Sequence, residues 1–458
     1  MTNPLGSQQR PLRAAMIGSG PSGFYAAENL LHTKDMQVQV DMFEKLPAPF
    51  GLVRYGVAPD HPKIKNVTKI YEKVAEQKGF QFLGNVEVGR NISVDELRQF
   101  YDVIIFATGA EKDRKLGILG EDLPGCHTAT EFVGWYNGHP DFREEIFDLS
   151  QPIVAIIGQG NVALDVARIL GKSVDELKNT DIARHALEAL AESKVKEIHI
   201  FGRRGPAQAA FTPVEIREFA EFADCNCIVK PQDLELNESS RKELEDPDNA
   251  VRKKNYEILL QLSQKKHEPK KRQIIFHFLK SPVEICGAKH LDKIIFEKNI
   301  LVGNPGEQKA RGSGEREEIR CDLLFKSVGY RGIPIKGLPF HDQWGIIPNQ
   351  HGRVADSEQI YSGLYAVGWI KRGPTGVIGT NKPDAEETVK MIMEDLPHLR
   401  PCKTPDTEAL KKLLQRYEIR VVSFADWKKI DAAEIERGKE SGKPREKFVK
   451  VSGMLGAI

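Results

Sequence analysis

Two glycine-rich segments constrain the fold of this chain more than any other feature. The first spans residues 18–23 (GSGPSG) and the second spans residues 158–163 (GQGNVA). Each follows a short apolar run, Leu12–Ile17 or Ile153–Ile157, and precedes a segment with the apolar spacing of a helix. Glycines at this spacing allow a tight turn and let a pyrophosphate approach the free N–H groups of the helix N-terminus. The chain is therefore predicted to contain two Rossmann-like dinucleotide-binding units.

The segments that follow each glycine turn strengthen this interpretation. A helix at Ser22–Leu31 and a strand at Val38–Glu44 complete the order strand, turn, helix, strand in the first unit. The second unit has a predicted helix at Val162–Leu170 and a strand at Glu197–Phe201. A charged insertion at 171–196, predicted to be helical, separates these two elements.

The residues at the end of the next strand differ in charge between the two units. Glu44 ends this strand in the first unit, and a carboxylate there accepts hydrogen bonds from a free ribose diol. Arg203 and Arg204 follow the corresponding strand in the second unit, and an arginine pair there neutralises a 2′-phosphate. Their alternative role is in surface ion pairs, and Arg203 follows Ala163 at roughly twice the usual spacing. The charges favour FAD in the first unit and NADP in the second, which implies redox chemistry.

The length of the chain predicts more than one domain. A chain of 458 residues exceeds one ordinary core, and 40% hydrophobic with 29% charged residues is typical of folded proteins. We expect an α/β protein of the glutathione-reductase type, with two Rossmann-like domains. Residues 10–110 and 331–458 are predicted to form a discontinuous FAD-binding domain, with residues 111–330 inserted as the NADP-binding domain. Residues 400–458 are a C-terminal extension whose role stays open.

The overall charge limits how the chain meets its partners. A formal net charge of +1 excludes binding to nucleic acid or membrane through total charge, so a charged partner must meet a local patch. No run of ~18 apolar residues occurs, so a membrane span is not expected. The residues before the first strand resemble neither a secretory signal nor a transit peptide, and we therefore expect a cytoplasmic location.

The cysteines do not form a redox or metal motif. No C-x-x-C occurs, and the spacing of Cys225 and Cys227 suits neither a disulfide reductase nor a zinc pair. Flavoenzymes that reduce disulfides need a cysteine pair beside the flavin. We therefore expect ordinary thiols and an electron acceptor outside the chain. The six cysteines are Cys126, Cys225, Cys227, Cys286, Cys321 and Cys402.

Further elements are predicted from apolar runs and turn residues along the rest of the chain. They are strands at Tyr101–Gly109, Gln273–Leu279, Lys293–Glu297, Leu323–Gly329 and Gly363–Gly368, a glycine-rich loop at 303–314, a helix at Pro383–Leu396, and a strand-like segment at Ile419–Phe424 before a polar helix.

Several longer strings resemble one protein family. They are PFGLVRYGVAPDHPKIKNV (49–67), GNVEVGR (84–90), FVGWYNGHP (132–140), GQGNVALDVARIL (158–170), GRRGPAQAAFTPVEIRE (202–218) and GWIKRGPTGVIGTN (368–381). Together they resemble the adrenodoxin reductases and their bacterial ferredoxin–NADP reductase relatives, from about residue 12 to about residue 397. Trp369 stands where most flavin reductases have an Asp after the late strand, and this is also the adrenodoxin reductase pattern.

The glycine turns and the resemblance together predict a set of cofactor-binding residues. The turns give Gly18, Gly20 and Gly23 for FAD, and Gly158 and Gly160 for NADP. The resemblance implies Ser22, Glu44, Leu52, Val88, Trp369, Gly376, Val377 and Ile378 for FAD. For NADP it implies Gln159, Gly160, Asn161, Val162, Arg203, Arg204, Glu215 and Gly376.

Three residues are candidates for the catalytic site. His61 either packs in its loop or positions the nicotinamide and couples protons to the reduced flavin. Asp165 is either a buried polar group of its helix or, by the resemblance, a partner of His61. Glu215 is either a first-turn residue favoured by the helix dipole or a contact to NADP, and Thr212 is a candidate cap for the same helix. No metal site is predicted.

The resemblance implies hydride transfer from NADPH to FAD, followed by transfer of single electrons to a ferredoxin-type iron–sulfur protein. Ferredoxins are generally acidic, so the docking face is expected to be basic. The candidates are Arg217, Arg252, Lys253 and Lys254, which are equally typical of a solvated helix. Acidic residues interrupt this stretch, so nucleic-acid binding is not expected.

Three other functions stay open at this point. The chain could be an NADPH dehydrogenase that reduces quinones or dyes, or the electron-input module of a larger enzyme. Such modules usually carry cysteine ligands for their own clusters, and the chain has no such group of cysteines. A redox sensor that binds NADP and FAD without turnover is the alternative from another class.

Overall fold

A computed structural model describes residues 4–458, and the first glycine segment adjoins a sheet of seven strands, here called the first sheet. Its strand Leu12–Ile17 is buried at every position and pairs in parallel with Val38–Glu44 and Val103–Phe106. Continuous apolar strands are typical of sheets covered on both faces. In spatial order the strands are Asn349–Gln350, Arg353–Ala355, Ile360–Ala366, Val103–Phe106, Leu12–Ile17, Val38–Glu44 and Phe80–Gly84.

The second glycine segment adjoins a sheet of six strands, here called the second sheet, in which every neighbouring pair is parallel. All of its strands lie in the chain between the two groups that build the first sheet. In spatial order they are Cys126–Thr128, Leu323–Lys326, Ile153–Ile157, Glu197–Phe201, Arg272–His277 and Cys225–Val229.

The chain passes between the two sheets through one short antiparallel pair. Lys112–Asp113 runs from the first sheet towards the second, and Tyr330–Arg331 returns. The outgoing and returning segments are therefore hydrogen-bonded to each other. This pair places Tyr330 near both sheets.

A third, antiparallel sheet corrects one prediction. Its strands are Lys280–Cys286, Lys293–Val302 and Lys309–Arg320. The glycine-rich loop predicted at 303–314 was wrong in its second part, because residues from 309 onward pair along Lys293–Val302. Cross-strand ion pairs such as Lys293–Glu318 form between these strands. A charged strand exposed along its length has no apolar alternation to reveal it.

Helices pack against the first and second sheets. The insertion predicted at 171–196 contains two short helices, the first of them held by a capping box between Ser173 and Glu176. The α-helices are Pro21–Leu31, Gly51–Tyr55, Pro62–Lys65, Thr68–Ala75, Val94–Leu97, Ala129–Tyr136, Asn161–Gly171, Val174–Leu177, Arg184–Ala191, Pro213–Glu218, Glu238–Glu245, Ala250–Ser263, Trp369–Arg372, Asn381–Asp395, Thr407–Arg416, Phe424–Lys439 and Val451–Gly456.

The C-terminal extension packs on the first sheet's side of the molecule. Trp427, on the helix Phe424–Lys439, is buried and meets the ring of Phe50 edge-on with 6.0 Å between centroids. Glu434 of the same helix is buried and bonds Arg54 at 2.6 Å. The strand-like segment predicted at Ile419–Phe424 is reduced to a single bridge between Val422 and Gly84.

The predicted fold class is confirmed. In each of the first two sheets, a strand with parallel neighbours leads into a glycine turn, as in a Rossmann unit. The first sheet adds an antiparallel edge, Asn349–Gln350 and Arg353–Ala355, and the second sheet is inserted between the parts of the first. Among residues 4–458, no helix is both long enough and apolar enough to cross a bilayer.

Candidate dinucleotide and redox site

The first glycine turn has the shape that a pyrophosphate requires. Gly18 has φ +106°, and an added Cβ would lie 2.6 Å from the carbonyl oxygen of Ala107. A Cβ at Gly23 would clash with the carbonyl oxygen of Gly18, whereas Gly20 faces open space. The helix that follows has no side-chain cap and no acidic residue in its first turn. Its N-terminal N–H groups are therefore free for an anion, so the turn fits a dinucleotide.

Glu44 lies beside this turn. Its carboxylate accepts hydrogen bonds from the backbone N–H and the hydroxyl of Ser19 at 3.2 and 2.6 Å, and from the N–H of Leu46 at 3.1 Å. Burial raises the pKa of Glu44, and these hydrogen bonds offset part of that rise. The Ser19 bonds hold the carboxylate against the turn, as contact with a ribose diol requires.

Other residues predicted to bind FAD surround the same turn. Leu52 is half-exposed on the helix Gly51–Tyr55, and a Cβ at Gly51 would lie 3.1 Å from Cα of Gly20. Ser22 is close to Gly368, where a Cβ would lie 2.5 Å from the Ser22 hydroxyl, and Trp369 comes next in the chain. The structure therefore brings the helices that carry Leu52 and Trp369 to the first glycine turn.

Two further parts of the FAD prediction are less closely tied to the turn. Val88 is partly buried and follows Val86, whose N–H donates to the carbonyl oxygen of Glu44 at 2.9 Å. The segment Gly376–Ile378 is mostly exposed and is joined back to Trp369, whose indole N–H donates to the carbonyl oxygen of Thr375 at 3.1 Å.

The second glycine turn repeats the geometry of the first. Gly158 has φ +136°, its added Cβ would clash with the carbonyl oxygen of Ser327, and Gly160 faces open space. Ala163 replaces the third glycine and is fully buried. The following helix lacks a side-chain cap and has no acidic residue in its first turn. The second turn therefore also fits a pyrophosphate.

Two polar side chains fix the entrance to the second turn. The amide of Gln159 donates to the carbonyl oxygen of His277 at 2.9 Å, and the amide oxygen of Asn161 accepts from the N–H of Thr212 at 2.8 Å. The Asn161 bond joins the turn to the helix that carries Glu215. Thr212 stands at the start of that helix, but its side chain makes no capping hydrogen bond, so the predicted cap was wrong.

Arg203 and Arg204 directly follow the strand Glu197–Phe201 and Gly202. Within residues 4–458, neither arginine has a carboxylate within 4.0 Å, so the alternative of surface ion pairs is not realised. Burial lowers the pKa of Arg204, and the positive charges of Arg203 and Arg252 lower it further. Two adjacent arginines without a carboxylate partner in the described chain offer the charge that a doubly charged anion requires.

The three candidate catalytic residues come together between the two sheets. Ligand-type atoms of His61, Asp165 and Glu215 all lie within 4.8 Å of one another. His61 is at the start of the helix Pro62–Lys65, which follows the strand Val38–Glu44 in the chain. Asp165 lies on the helix after the second glycine turn, and Glu215 on the helix Pro213–Glu218. One candidate thus comes from the first sheet's part of the chain and two from the second.

The sequence did not identify Glu218 as a member of this group. Its Oε1 atom lies 2.9 Å from Nε2 of His61, whereas Glu215 is 3.8 Å from Nδ1 of the same ring. Glu218 is one helical turn beyond Glu215, so both carboxylates face the histidine. The i, i+3 spacing in VEIRE could have pointed to it.

Arg168 is the second residue that the sequence reasoning missed. It is fully buried and its guanidinium contacts four carboxylates. We use "charge cluster" for His61, the cations Arg168 and Lys172, and the acidic residues that they meet, namely Asp60, Asp165, Glu215 and Glu218.

The pKa values of the cluster follow from burial and from this crowding. Burial lowers the pKa of His61, but its hydrogen bond with Glu218 and the nearby carboxylates raise it overall. Burial and neighbouring carboxylates raise the pKa of Glu215, and burial raises that of Asp165. The pKa of Asp60 falls well below its ordinary value, because Arg168 and Lys172 outweigh the effect of its burial.

The cluster does not suit a metal ion as it stands. A cation between His61, Asp165 and Glu215 would be next to the guanidinium of Arg168, which already bonds Asp165 at 2.5 Å and Glu215 at 3.0 Å. Arg168 thus supplies the positive charge that these carboxylates would otherwise need from a metal.

The family model for pyridine nucleotide-disulphide oxidoreductases matches residues 12–200. The NADPH-ferredoxin reductase FprA of Mycobacterium tuberculosis is 46% identical over 461 residues, with 97% of this chain and 99% of the relative covered. The mitochondrial NADPH:adrenodoxin oxidoreductase of Arabidopsis thaliana is 42% identical over 468 residues, with 98% and 96% covered.

The chain belongs to the adrenodoxin reductase family. A solved structure of the Mycobacterium tuberculosis FprA in complex with NADPH agrees with this fold at a TM-score of 0.91 and 44% identity, and covers 98% of this chain and 99% of that one. The resemblance read from the sequence strings is confirmed.

Family membership makes the surroundings of Trp369 informative. The ring of Tyr330 stacks on the indole of Trp369 with 5.8 Å between centroids and 16° between planes. Tyr330 lies on the strand that returns from the second sheet. It was not predicted as a site residue, since a lone tyrosine after a strand carries no recognisable sequence signal.

The four basic docking candidates differ in how far their charge is free. Arg252 bonds the buried Glu243, and Lys254 pairs with Glu257 at 2.9 Å. Arg217 and Lys253 are exposed and, within residues 4–458, have no carboxylate within 4.0 Å. Arg217 also lines a groove of about 370 Å³ between its helix and Ala250–Ser263. The free charge of the predicted patch therefore comes mainly from Arg217 and Lys253.

Proposed function

We propose that this protein is an NADPH:ferredoxin oxidoreductase, with FAD at the first glycine turn and NADP at the second. The observation that carries the proposal is the pairing of two equivalent turns with opposite charges. Glu44 is held at the first turn, whereas Arg203 and Arg204, after the second, have no carboxylate partner among residues 4–458. The names of the similar proteins, FprA and the adrenodoxin reductases, agree with this activity.

We propose the domain division that the sequence predicts. Residues 10–110 and 331–458 form the FAD-binding domain, and residues 111–330 form the NADP-binding domain. The first sheet uses strands only from residues 12–106 and 349–366, and the second only from 126–326, which supports these boundaries. The paired crossing segments Lys112–Asp113 and Tyr330–Arg331 lie at the proposed junction.

FAD, when bound, accepts a hydride from NADPH and passes the electrons singly to an iron–sulfur protein. Gly20 and Gly160 leave room for the two pyrophosphates, and Glu44 accepts hydrogen bonds from the ribose of FAD. Arg203 and Arg204 bind the 2′-phosphate of NADP. Leu52, Val88, Trp369 and the segment Gly376–Ile378 surround the flavin.

The charge cluster orients the nicotinamide and adjusts the local field. His61 and Glu215 are proposed to contact the nicotinamide end of NADP, with Asp165 behind them. Carboxylates outnumber the cations Arg168 and Lys172 in the cluster. This excess of negative charge stabilises the positive charge that develops on the ring as the hydride leaves. The hydrogen bond with Glu218 raises the pKa of His61, and the protonated ring is held in place by that contact.

The electron acceptor is proposed to be an acidic ferredoxin that docks on Arg217 and Lys253, with Arg252 and Lys254 as further candidates. The support is the exposure of the first two side chains and their lack of a carboxylate partner in the described chain. We also propose a cytoplasmic location for the protein.

Anaerobic mixing distinguishes this function from its alternatives. The FAD-loaded protein is mixed with NADPH, and then with a ferredoxin or with a quinone. Rapid bleaching of the flavin followed by reduction of the ferredoxin supports the proposal. Bleaching with transfer only to the quinone indicates a general NADPH dehydrogenase, and a flavin that NADPH does not reduce indicates a redox sensor.

A further inference from the structure

Arg168 connects the two parts of the molecule at the candidate redox site. Its Nε and Nη2 atoms donate to the two oxygens of Asp60 at 2.8 and 3.1 Å. Asp60 directly precedes His61 in the chain and lies between the first sheet's strands Val38–Glu44 and Phe80–Gly84. This bidentate geometry fixes the loop in angle as well as distance, since the guanidinium is planar.

The guanidinium of Arg168 also contacts three carboxylates in the second sheet's part of the chain. Nη2 also bonds Asp165 at 2.5 Å, Nη1 bonds Glu215 at 3.0 Å, and Glu218 is 3.4 Å from Nε. Asp165 is on the same helix as Arg168, whereas Glu215 and Glu218 are on the helix Pro213–Glu218. One side chain therefore holds together three separate segments.

The burial of Arg168 makes these contacts obligatory. Its side chain has no exposed surface. A buried guanidinium without carboxylates, or these carboxylates without the guanidinium, would leave uncompensated charge in a low-dielectric interior. Lys172 bonds Asp60 at 2.7 Å and, in the described part of the chain, no other carboxylate of the cluster, so it does not replace Arg168 at the other three.

We propose that Arg168 is a positioning residue for hydride transfer, which holds the Asp60–His61 loop against Glu215 and Glu218 so that His61 meets the nicotinamide. This inference rests on the proposed function. Arg168 acts through His61 and the carboxylates, and needs no contact of its own with either cofactor. It differs from a residue that merely stabilises the fold, because its loss displaces the histidine while the cofactor turns stay intact.

The electrostatic role of Arg168 is distinct from its geometric role. His61 is faced by Asp60, Asp165, Glu215 and Glu218, whose carboxylates favour its protonated form, and by Arg168, which opposes it. Removal of the arginine charge therefore moves the deprotonation of His61 to higher pH. A lysine at position 168 keeps the charge but has no planar fork to serve several carboxylates at once.

The test is the anaerobic reduction of bound FAD by NADPH in the full chain, measured per bound flavin across the pH range. Arg168→Met is expected to slow reduction at least ~10-fold, because misplacement at the reacting centre costs rate. It is also expected to move the fall in rate at high pH, here called the alkaline limb, to higher pH, because the arginine charge no longer lowers the pKa of His61. Arg168→Lys is expected to keep the alkaline limb near that of the wild type while reduction stays slow. Asp60→Asn, which leaves Arg168 with its other partners, is expected to slow reduction as well.

Arg416→Met is the matched control, because Arg416 is exposed and lies on the helix Thr407–Arg416. If Arg168→Met does not retain FAD, Arg168→Lys and Asp60→Asn decide the question. Wild-type rates per flavin in both of these variants would overturn the inference alone. A wild-type flavin that NADPH does not reduce would overturn the proposed function and this inference with it.

Discussion

The Nε2 atom of His61 lies 2.9 Å from Oε1 of Glu218, and this contact joins the segment between the first sheet's strands Val38–Glu44 and Phe80–Gly84 to the helix Pro213–Glu218 in the second sheet's part of the chain. The two residues are 157 positions apart in the chain. Each alters the other's protonation in the sense expected of an ion pair: the pKa of His61 is raised, and that of Glu218 is lowered by His61 and Arg168 despite its burial. The redox site is therefore assembled by contact between the two sheets' parts of the chain.

This ion pair gives the site a defined pH window. The pKa of His61 lies above its ordinary 6.5, so the stabilisation from its proton is complete below pH 6.5 and is lost as the pH rises through the raised value. The pKa of Glu218 lies below its ordinary 4.5, so its contribution is present above pH 4.5 and is lost as the pH falls through the lowered value. The contact is strongest between the lowered pKa of Glu218 and the raised pKa of His61.

Glu218→Gln should shift the alkaline limb of flavin reduction to lower pH. The hydrogen bond with the Glu218 carboxylate is the largest of the effects that raise the pKa of His61, and the neutral amide removes the charge. His61→Gln should slow hydride transfer while FAD stays bound. Stopped-flow reduction by NADPH across the pH range measures both effects. Glu221→Gln, at an exposed position three residues further along the chain, is the control; the same shift in that variant would refute the assignment.

The double substitution Arg203→Ala with Arg204→Ala should abolish the preference for NADPH. Charge-assisted hydrogen bonds to the 2′-phosphate contribute roughly 2–4 kcal/mol, so NADPH affinity should fall on the order of 100-fold while NADH affinity barely changes. Equilibrium titration of the oxidised protein with NADP and NAD measures the difference. Lys178→Ala, at an exposed lysine in the nearby insertion, should bind both nucleotides as the wild type does. An unchanged preference in the double variant would disprove the 2′-phosphate site.

Glu44→Ala should weaken FAD binding without altering the NADP site. The carboxylate is the proposed acceptor for the ribose diol, and hydrogen bonds to a charged group are worth about 1.5–3 kcal/mol. The dissociation constant for FAD should therefore rise ~10-fold or more, as measured by fluorescence titration of the apoprotein. Glu76→Ala removes an exposed carboxylate from the same domain and serves as the control. Equal FAD affinities for the two variants would contradict the role of Glu44.

The C-terminal extension should stabilise the FAD-binding domain through Trp427. Trp427 is 1% exposed, meets Phe50, and lies under the guanidinium of Arg54 at 4.9 Å from the ring. Trp427→Ala should lower the free energy of unfolding by about 3–5 kcal/mol, as expected for a large buried side chain. Trp344→Ala is matched in chemistry but 60% exposed, and should change stability little. Denaturant unfolding measures the free energy of unfolding of both variants. A loss at Trp427 that is no larger than the small loss expected at Trp344 would show that Trp427 does not stabilise the domain.

Ferredoxin reduction should depend on salt and on two basic residues. Arg217→Ala with Lys253→Ala should slow electron transfer to ferredoxin at low salt but leave flavin reduction by NADPH unchanged. The difference from wild type should shrink above ~0.1 M salt, where charges are screened beyond ~10 Å. Lys412→Ala, at an exposed position of the C-terminal extension, is the control. A salt-independent rate in the wild type would argue against electrostatic docking.

Sequence patterns were sufficient where a local signal determined the structure. Leu12–Ile17, Val38–Glu44 and Ile153–Ile157 have the predicted bounds, because a continuous apolar run beside a glycine turn has few other solutions. The charged strand Lys309–Arg320 was missed in part, since its alternation carries no apolar face and it contains Gly312 and Gly314.

The charge cluster shows what local patterns could not supply. His61, Asp165 and Glu215 were identified through the family resemblance, yet the guanidinium that unites them was not. Arg168 is read from the sequence as one more polar residue of an amphipathic helix. Its role depends on Asp60, which is 108 positions away in the chain and becomes a neighbour only when the two parts of the molecule meet.

The most direct test of the account is an anaerobic electron count. The FAD-loaded protein is given a limiting amount of NADPH with an excess of an oxidised one-electron ferredoxin, and both reduced ferredoxin and consumed NADPH are measured. The account predicts that each NADPH reduces a pair of ferredoxin molecules, and that NADH supports the reaction poorly. Consumption of NADPH without reduced ferredoxin, or equal use of NADH, would contradict it.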